Sequence, residues 1–408
     1  MQGPLLVVTI DRLPAWIVPA YGATWVAMGA LDALAARGVV CDRLIAPTDD
    51  PWANATAIAA AAAGRGGVLV TDDAGLAAAA PDVAPLTGHH VGHHDCNRGG
   101  NQGGDHDGRL EVRLVAPSRV ARTATDEAET NLARLCTAAA ALVTAGRHAL
   151  VWCHVTGLGL AWDAPERFRE RYVDPADPPP PPGAEVPNFT VGPDTDPDLL
   201  VGVRQAYAGQ LTLLDLWLGR VLEAAAGWTV VVAGCRGMGL GLHGRVGPGP
   251  LAAYGELVHL PLIMADAAGR MAAQRYGGLV IPADVGATLA AMVAPALPTA
   301  DRAAPGDPRL GRSLEPLFET FQPPQRDRVV VAATAGAAIV TPGWHAVAEA
   351  GRPPRIYAKP DDFFELCDVA DRCGTVADEL GSALAAVAAG DLDRAWREPL
   401  STAAVLPG

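Results

Sequence analysis

Apolar and polar positions along the chain alternate in blocks that predict strands and helices in turn. The segment PLLVVTID at residues 4–11 predicts a buried strand, and WVAMGALDALAARG predicts a helix that stops at Gly38. Further strands are predicted in VVCDRLIAP, GGVLVTDD, HALVWCHVTG, the first half of VVVAGCRGMGLGLHG and LVHLPLIMA. Because strands alternate with helices, we expect an α/β fold with a largely parallel central sheet sandwiched by helices.

Two polar segments and a change of pattern divide the chain further. Residues 88–108 form a flexible loop rich in histidine and glycine, and residues 174–188 form a proline-rich extended connection. After residue 320 the pattern changes to short strands with turns, followed by a helix near Val376 to Ala389. We therefore expect an α/β domain at 1–320 and a small C-terminal antiparallel sheet with a helix at 321–408.

Composition narrows the classes of partner. The 408 residues include 31 basic and 45 acidic side chains, so the net charge is -14 and the field of the protein repels nucleic acid and anionic lipid surfaces. Seven scattered cysteines indicate reduced thiols, and the N-terminal residues have no signal-peptide pattern, so a cytoplasmic location is expected. Lys359 is the only lysine, which excludes a lysine from any other site.

The order of several phrases along the chain carries a resemblance to a known family. The strings LLVVTIDRLPAWIVPAYG, FRERYVDPADPPPP, YAGQLTLLDLWLGRVLE, LGLHG, ELVHLPLIM and GRSLEPL follow one another with similar spacing in the sulfatase family of the alkaline phosphatase superfamily. The chain resembles a divergent member of that family. The resemblance implies the same α/β architecture with a small C-terminal subdomain.

The family hydrolyses sulfate esters with a bound divalent cation, usually calcium, and a formylglycine made within a Cys/Ser-x-Pro-x-Arg motif. The resemblance places Asp11 at the first metal carboxylate, but Arg12 stands where its acidic neighbour is expected. It places Asp49 at the nucleophile and Ala53 at the motif arginine. Formylglycine is therefore not possible at this position, because the motif occurs nowhere in the chain.

The second metal pair of the family is an Asp-His, and Cys235 and Arg236 occupy those two positions. A cation there would meet Arg12 and Arg236 with Asp11 as the remaining carboxylate, so we expect the calcium ligands to be mostly lost and no cofactor to be bound. The same exchange of residues favours an anion site. A reactive Cys235 thiolate is the less favoured alternative.

The remaining candidate residues follow from their places in the family pattern. Asp49, His243 and His259 occupy the catalytic positions, and Asp11 is the remnant of the metal site. Substrate or anion binding is assigned to four basic side chains, namely Arg12, Arg236, Arg245 and His154. A core histidine bonded to a backbone carbonyl is the equal alternative for His154. Asp72 and Asp73 end a predicted strand, where they would point into the same cleft as Asp11 or cap the next helix.

The histidine-rich loop opens a separate interpretation. It holds donors suited to zinc, nickel or copper at four histidines, namely His89, His90, His93 and His94. A solvated loop with adventitious metal binding is the alternative, because its glycines leave the ligands unorganised.

Three functional hypotheses result. The first is a sulfatase-like protein that has lost ester hydrolysis and binds a small anion or a protein partner. The second is an active sulfate or phosphate ester hydrolase with an unusual site around Asp11, Asp49 and His243. The third is transition-metal binding through the histidine-rich loop. The sequence specifies neither the ligand nor the oligomeric state.

Overall fold

The apolar blocks of the sequence form a central sheet in the computed structural model, which describes residues 3–63, 67–79, 110–118, 122–293, 307–319 and 326–401. Within these residues the central sheet has nine strands. They are β1 (Leu5–Asp11), β2 (Val39–Ile45), β3 (Gly67–Thr71), β4 (Glu111–Leu114), β5 (Leu150–Val155), β7 (Thr229–Arg236), β10 (His259–Leu260), β11 (Leu262–Ala265) and β12 (Gln274–Val280).

The strand order is β10-β2-β11-β7-β1-β5-β3-β4, with β12 paired to β2 outside this path. The central strands β7, β1, β5, β3 and β4 run parallel, and β10 and β11 run antiparallel to their neighbours. The inner strands are buried on both faces, which explains their continuous apolar sequence. The largely parallel α/β sheet expected from the sequence is confirmed.

Helices cover both faces of the sheet. Those of the described residues are α1 (Gly29–Ala36), α2 (Pro51–Ala63), α3 (Ala74–Ala79), α4 (Asn131–Ala145), α5 (Glu166–Glu170), α6 (Pro197–Ala224), α7 (Gly255–Val258), α8 (Pro282–Val293) and α9 (Glu315–Glu319). Leu6 and Val8 of β1 face a core shared with α1, α4 and α6. Leu5 and Val7 face the opposite core, shared with α2 and α8. Alternate residues of one strand therefore serve the two layers.

Two smaller sheets complete the architecture. The C-terminal sheet has the order β13-β14-β15-β16 and is antiparallel throughout, and the third sheet has the order β6-β9-β8. Their bounds are β6 (Phe189–Thr190), β8 (Gly239–Leu240), β9 (Arg245–Gly247), β13 (Val329–Ala333), β14 (Gly336–Val340), β15 (Trp344–Glu349) and β16 (Arg355–Ala358). The helices α10 (Gly374–Ala388) and α11 (Leu392–Arg397) pack on the C-terminal sheet. The sequence pattern predicted α10 but not α11.

A buried carboxylate ties the C-terminal sheet to the main sheet. Glu365 accepts hydrogen bonds from the Gly255 backbone N–H (2.7 Å to Oε2) and from His345 Nδ1 (2.6 Å to Oε1). Lys359 Nζ lies 2.9 Å from Glu365 Oε1, and Glu365 itself has a left-handed backbone (φ 57°). The only lysine of the chain is thus committed to this junction.

Three details differ from the sequence pattern. The edge strand β4 and the strand β12 were not predicted, because their side chains are mostly exposed or interrupted by glycine. The phrase LVHLPLIMA was expected to form one strand, but it divides into the end of α7, β10 and β11 around Pro261. In the described ranges, no helix has the length and apolar character needed to cross a membrane.

Candidate functional site

A cleft of about 400 Å³ opens at the carboxyl ends of β7, β1, β5 and β3. Ligands of open α/β sheets bind at this edge because side chains from successive parallel strands converge there. The cleft is lined by Asp11, Arg12, Asp72, Asp73, Ala74, Gly75, Pro117, Thr156, Gly159, Leu160 and Arg236. The cleft therefore brings together five charged residues that the sequence analysis named, which are Asp11, Arg12, Asp72, Asp73 and Arg236.

A shift in strand register creates the centre of this cleft. Ile10 of β1 pairs with Gly234 of β7, but the next residue, Asp11, pairs with Arg236, so Cys235 is the extra residue of a β-bulge. Bulges beside functional sites re-aim the side chains that follow them. Here the bulge places Arg236 directly next to Asp11.

Asp11 and Arg236 form a two-pronged ion pair. Arg236 Nε lies 2.9 Å from Asp11 Oδ1, and Nη2 lies 2.7 Å from Oδ2. Arg12 Nε lies 3.6 Å from the same Oδ2. Burial by itself lowers the pKa of Arg236, but the hydrogen bonds and charge of Asp11 outweigh it and raise that pKa. Two guanidinium groups against one carboxylate leave one positive charge on this side of the cleft.

Arg12 is held in an uncommon backbone conformation. Its φ is 69°, in the left-handed region that side chains other than glycine seldom adopt. The Tyr207 hydroxyl donates a hydrogen bond to the Arg12 carbonyl oxygen, and Arg12 Nη1 donates to the Pro248 carbonyl oxygen at 3.4 Å. Such strain persists where surrounding contacts enforce it, as at ligand sites. Burial lowers the pKa of Arg12, although a guanidinium remains charged.

The opposite side of the cleft is acidic. Asp73 caps α3 by accepting hydrogen bonds from the Gly75 and Leu76 N–H groups at Oδ1, and its Oδ2 accepts one from Trp52 Nε1 at 2.8 Å. Asp72 Oδ1 accepts two bonds from Thr156, from its N–H at 2.8 Å and its hydroxyl at 2.9 Å. Burial raises the pKa of Asp72 to about 6.

The sequence left two roles open for Asp72 and Asp73, and the structure shows both of them. Asp73 caps α3, and both Asp72 and Asp73 line the cleft.

His154 lies in β5, is fully buried and does not line the cleft. Trp152 Nε1 donates to Thr9 Oγ1, whose hydroxyl contacts His154 Nδ1, both at 2.8 Å. The Thr9 hydroxyl proton needs an acceptor, and among the described residues His154 Nδ1 is the one within reach. Because Nδ1 accepts this hydrogen bond, the proton of the neutral His154 ring belongs on Nε2. His154 Nε2 is buried without a hydrogen-bond partner in the described part of the chain. The charges acting on His154 are Asp11, Asp73 and Arg236, which all line the cleft.

The other candidate residues lie elsewhere. Arg245 reaches Asn188 Oδ1 and Thr190 Oγ1 on the third sheet and does not line the cleft. Asp49 Oδ2 accepts a hydrogen bond from the Thr334 N–H at 3.0 Å, so its carboxylate faces the C-terminal sheet. Only its backbone oxygen approaches Arg236, at 3.4 Å from Nη1.

His243 and His259 belong to a second, very small cavity of about 10 Å³. His243 stacks on Tyr254, and its Nδ1 lies 3.1 Å from Glu256 Oε2. His259 Nε2 donates to the Asp42 carbonyl oxygen at 2.6 Å. A cavity of this size holds about one water molecule. The structure therefore separates these histidines from the cleft at Asp11.

Burial should make stability sensitive to acid. It lowers the pKa of both His154 and His259 to about 4 from 6.5. The unfolded chain takes up these protons first, so the free energy of unfolding should fall as pH drops from 6.5 to 4, by about 3 kcal/mol per histidine. Asp72 opposes this in part, because its raised pKa favours the folded state at low pH.

Urea unfolding at a series of pH values measures how steeply the free energy of unfolding changes with pH. His259→Gln, which keeps a donor for Asp42, should make the slope between pH 6.5 and 4 shallower by about one proton. An unchanged slope would contradict the lowered pKa of His259 as a source of the acid sensitivity.

The residues at the expected calcium position do not fit a cation. Both carboxylate oxygens of Asp11 are engaged by Arg236, and Arg12 adds a second positive group. The Cys235 side chain is fully buried, and burial raises the pKa of its thiol well above the usual value, which excludes an activated thiolate. In the described residues, no three His, Cys, Asp or Glu side chains cluster as a metal site would require. His89, His90, His93 and His94 lie outside the described residues.

Comparisons with solved structures define the class of fold. A phosphonate monoester hydrolase of Agrobacterium radiobacter aligns over 96% of this chain and 96% of its own, with a TM-score of 0.66 and 18% identity. A 2-O GAG sulfatase aligns over 97% and 93% at 0.65 and 15%, and a phosphonate monoester hydrolase from Silicibacter pomeroyi over 98% and 96% at 0.62 and 18%. No protein-family model and no curated protein matches the sequence.

The chain therefore has the fold of these phosphonate monoester hydrolases and this sulfatase. The resemblance noted in the sequence is confirmed at the level of the fold. The sequence did not point to Pro117, Thr156 or Leu160 as cleft residues, although Thr156 directly follows a predicted strand.

Proposed function

We propose that this protein binds a small anion in the cleft beside Arg12 and Arg236 and has lost metal-dependent ester hydrolysis. The observation that carries the proposal is the two-pronged Asp11–Arg236 ion pair. A guanidinium occupies both oxygens of the carboxylate that would otherwise serve a cation, and it brings a fixed positive charge to the cleft. Because Asp11 takes the Nε and Nη2 donors of Arg236, a bound anion would meet Nη1 of Arg236 and the Arg12 guanidinium.

The charge balance of this side of the cleft supports an anion as ligand. Arg12 and Arg236 together exceed the single charge of Asp11, so this side of the cleft keeps one uncompensated positive charge. A bound anion would complete that balance.

The hydrolase alternative requires Asp49 and His243 to act with Asp11. Their side chains are instead engaged with Thr334 and Glu256, and neither lines the cleft. These contacts favour binding over hydrolysis. Metal binding through the histidine-rich loop has no supporting observation among the described residues, and the loop itself lies outside them.

Titration of inorganic sulfate and phosphate into the purified protein tests the anion site. Binding should weaken by about tenfold or more in Arg12→Gln, which removes one charge. Arg245→Gln is the matched control, because Arg245 does not line the cleft, and its affinity should equal that of the unmodified chain.

The loss of metal-dependent hydrolysis has its own test. Calcium or a chelator should leave the melting temperature unchanged, and aryl sulfate and aryl phosphate esters should not turn over. Calcium-dependent turnover that disappears in Asp11→Ala would overturn the proposal. Metal-independent turnover lost in Asp49→Asn would establish the hydrolase alternative instead.

A further inference from the structure

The charges around the cleft are separated by strand. Arg236 ends β7 and Arg12 follows β1, whereas Asp72 and Asp73 follow β3. The strand β5 runs between β1 and β3 and contributes Thr156, Gly159 and Leu160, which carry no charge. Neighbouring strands lie about 4.8 Å apart, so the cationic and acidic halves are separated by about 10 Å at strand level.

The acidic half also has an unsatisfied acceptor. Asp72 Oδ2 is buried and has no hydrogen-bond partner among the residues that the structure describes. A simple anion would engage the cationic half alone and would leave the acidic half without a positive partner.

From this arrangement we infer that the ligand is a small zwitterion, in which a short chain joins an oxyanion to an ammonium group. The oxyanion lies against Arg12 and Arg236, and the ammonium group lies against Asp73. The carboxylate of Asp73 accepts three hydrogen bonds within the protein, which leaves acceptor capacity for an N–H of the ligand. This inference rests on the proposed anion site and specifies its substrate class.

The volume and the walls agree with such a ligand. A cleft of about 400 Å³ is at the lower end of small-molecule sites. Leu160, which follows the intervening strand β5, supplies apolar surface between the charged halves, and this suits the methylene chain of the ligand. Sulfonates keep their negative charge at all relevant pH values, so they are suitable probes.

The test compares 3-aminopropanesulfonate with 1-propanesulfonate, which differ only in the ammonium group, by calorimetric titration. The unmodified chain should bind the amino compound about tenfold or more tightly, since a hydrogen bond to a charged group contributes that much. Asp73→Asn, which retains the helix cap, should bring the two affinities together. Asp378→Asn, an equal charge change on the exposed face of α10, should retain the full preference.

The outcomes separate this inference from the proposed function. If inorganic sulfate binds but the two sulfonates bind equally, the zwitterion is overturned and the anion site stands. If neither sulfate nor either sulfonate binds, both proposals fail. A preference that survives in Asp73→Asn would overturn the assignment of the ammonium group to that carboxylate. The comparison in the unmodified chain needs no variant to fold.

Discussion

Replacing Arg236 with methionine should lower the free energy of unfolding by about 3 kcal/mol. This value is at the lower end of the range for breaking a buried ion pair, because the arginine is partly exposed. The Asp11 side chain is only 6% exposed, and that of Arg236 is 20% exposed. Without Arg236 the carboxylate keeps only Arg12 at 3.6 Å. Urea unfolding at pH 7 measures the loss.

A double-mutant cycle shows whether the effect belongs to the pair. Asp11→Asn combined with Arg236→Met should cost at least about 1 kcal/mol less than the two single changes added together, because no buried charge is left unpaired. Additive losses, or a loss below about 1 kcal/mol in Arg236→Met, would show that the ion pair does not stabilise the cleft.

Glu365→Gln is expected to have the second large effect, a loss of about 3 kcal/mol. Burial by itself would raise the pKa of Glu365, but His345, Lys359 and the Gly255 N–H together hold it well below its usual range. The change leaves the Lys359 ammonium, 11% exposed, without its carboxylate. Because this junction joins the two sheets, the C-terminal sheet should lose protection against hydrogen exchange first.

The lowered pKa of Glu365 also predicts how the stability of the protein depends on pH. The folded state resists protonation of this carboxyl group, so its contribution to stability is present above about pH 4.5 and is lost as pH falls below that value. Glu365→Gln should therefore show a weaker dependence on acid in this range. Lys359→Met in the same chain should restore part of the stability lost at pH 7. If the variant with both changes is less stable than Glu365→Gln alone, the loss of stability does not come from the unpaired Lys359 ammonium.

Much of the fold followed from local patterns. The strands β1, β5 and β7 are mostly continuous apolar runs, so they predicted buried strands directly even though Thr9 and His154 lie within them. The strand β4 escaped prediction because its residues are largely exposed at the sheet edge. The pattern of β12 is broken by two adjacent glycines. Pairing with β3 and β2 holds these segments extended, and pairing is a long-range property.

The candidate site was predictable only in part. Asp11, Arg12 and Arg236 were identified from their places in the family pattern, and they meet in the cleft because the ends of parallel strands converge. Arg245 was grouped with them by its place in the sequence phrase. It lies on the short strand β9, whose pairing with β6 directs its side chain to Asn188 and Thr190. Nearness in sequence did not translate into nearness in space.

The sequence by itself determined the alternation of strands and helices and the fold class, and it set Cys235 and Arg236 side by side at the end of a predicted strand. Only the tertiary structure decided what these two residues do. A one-residue shift in register between β1 and β7 buries Cys235 and sets Arg236 against Asp11, while β3 brings Asp72 and Asp73 to the other side of the same cleft. Composition and local pattern determine which elements form, because they act within a few residues. Register and strand order depend on contacts between distant segments, so the mixed charge of the cleft is a property of the folded chain.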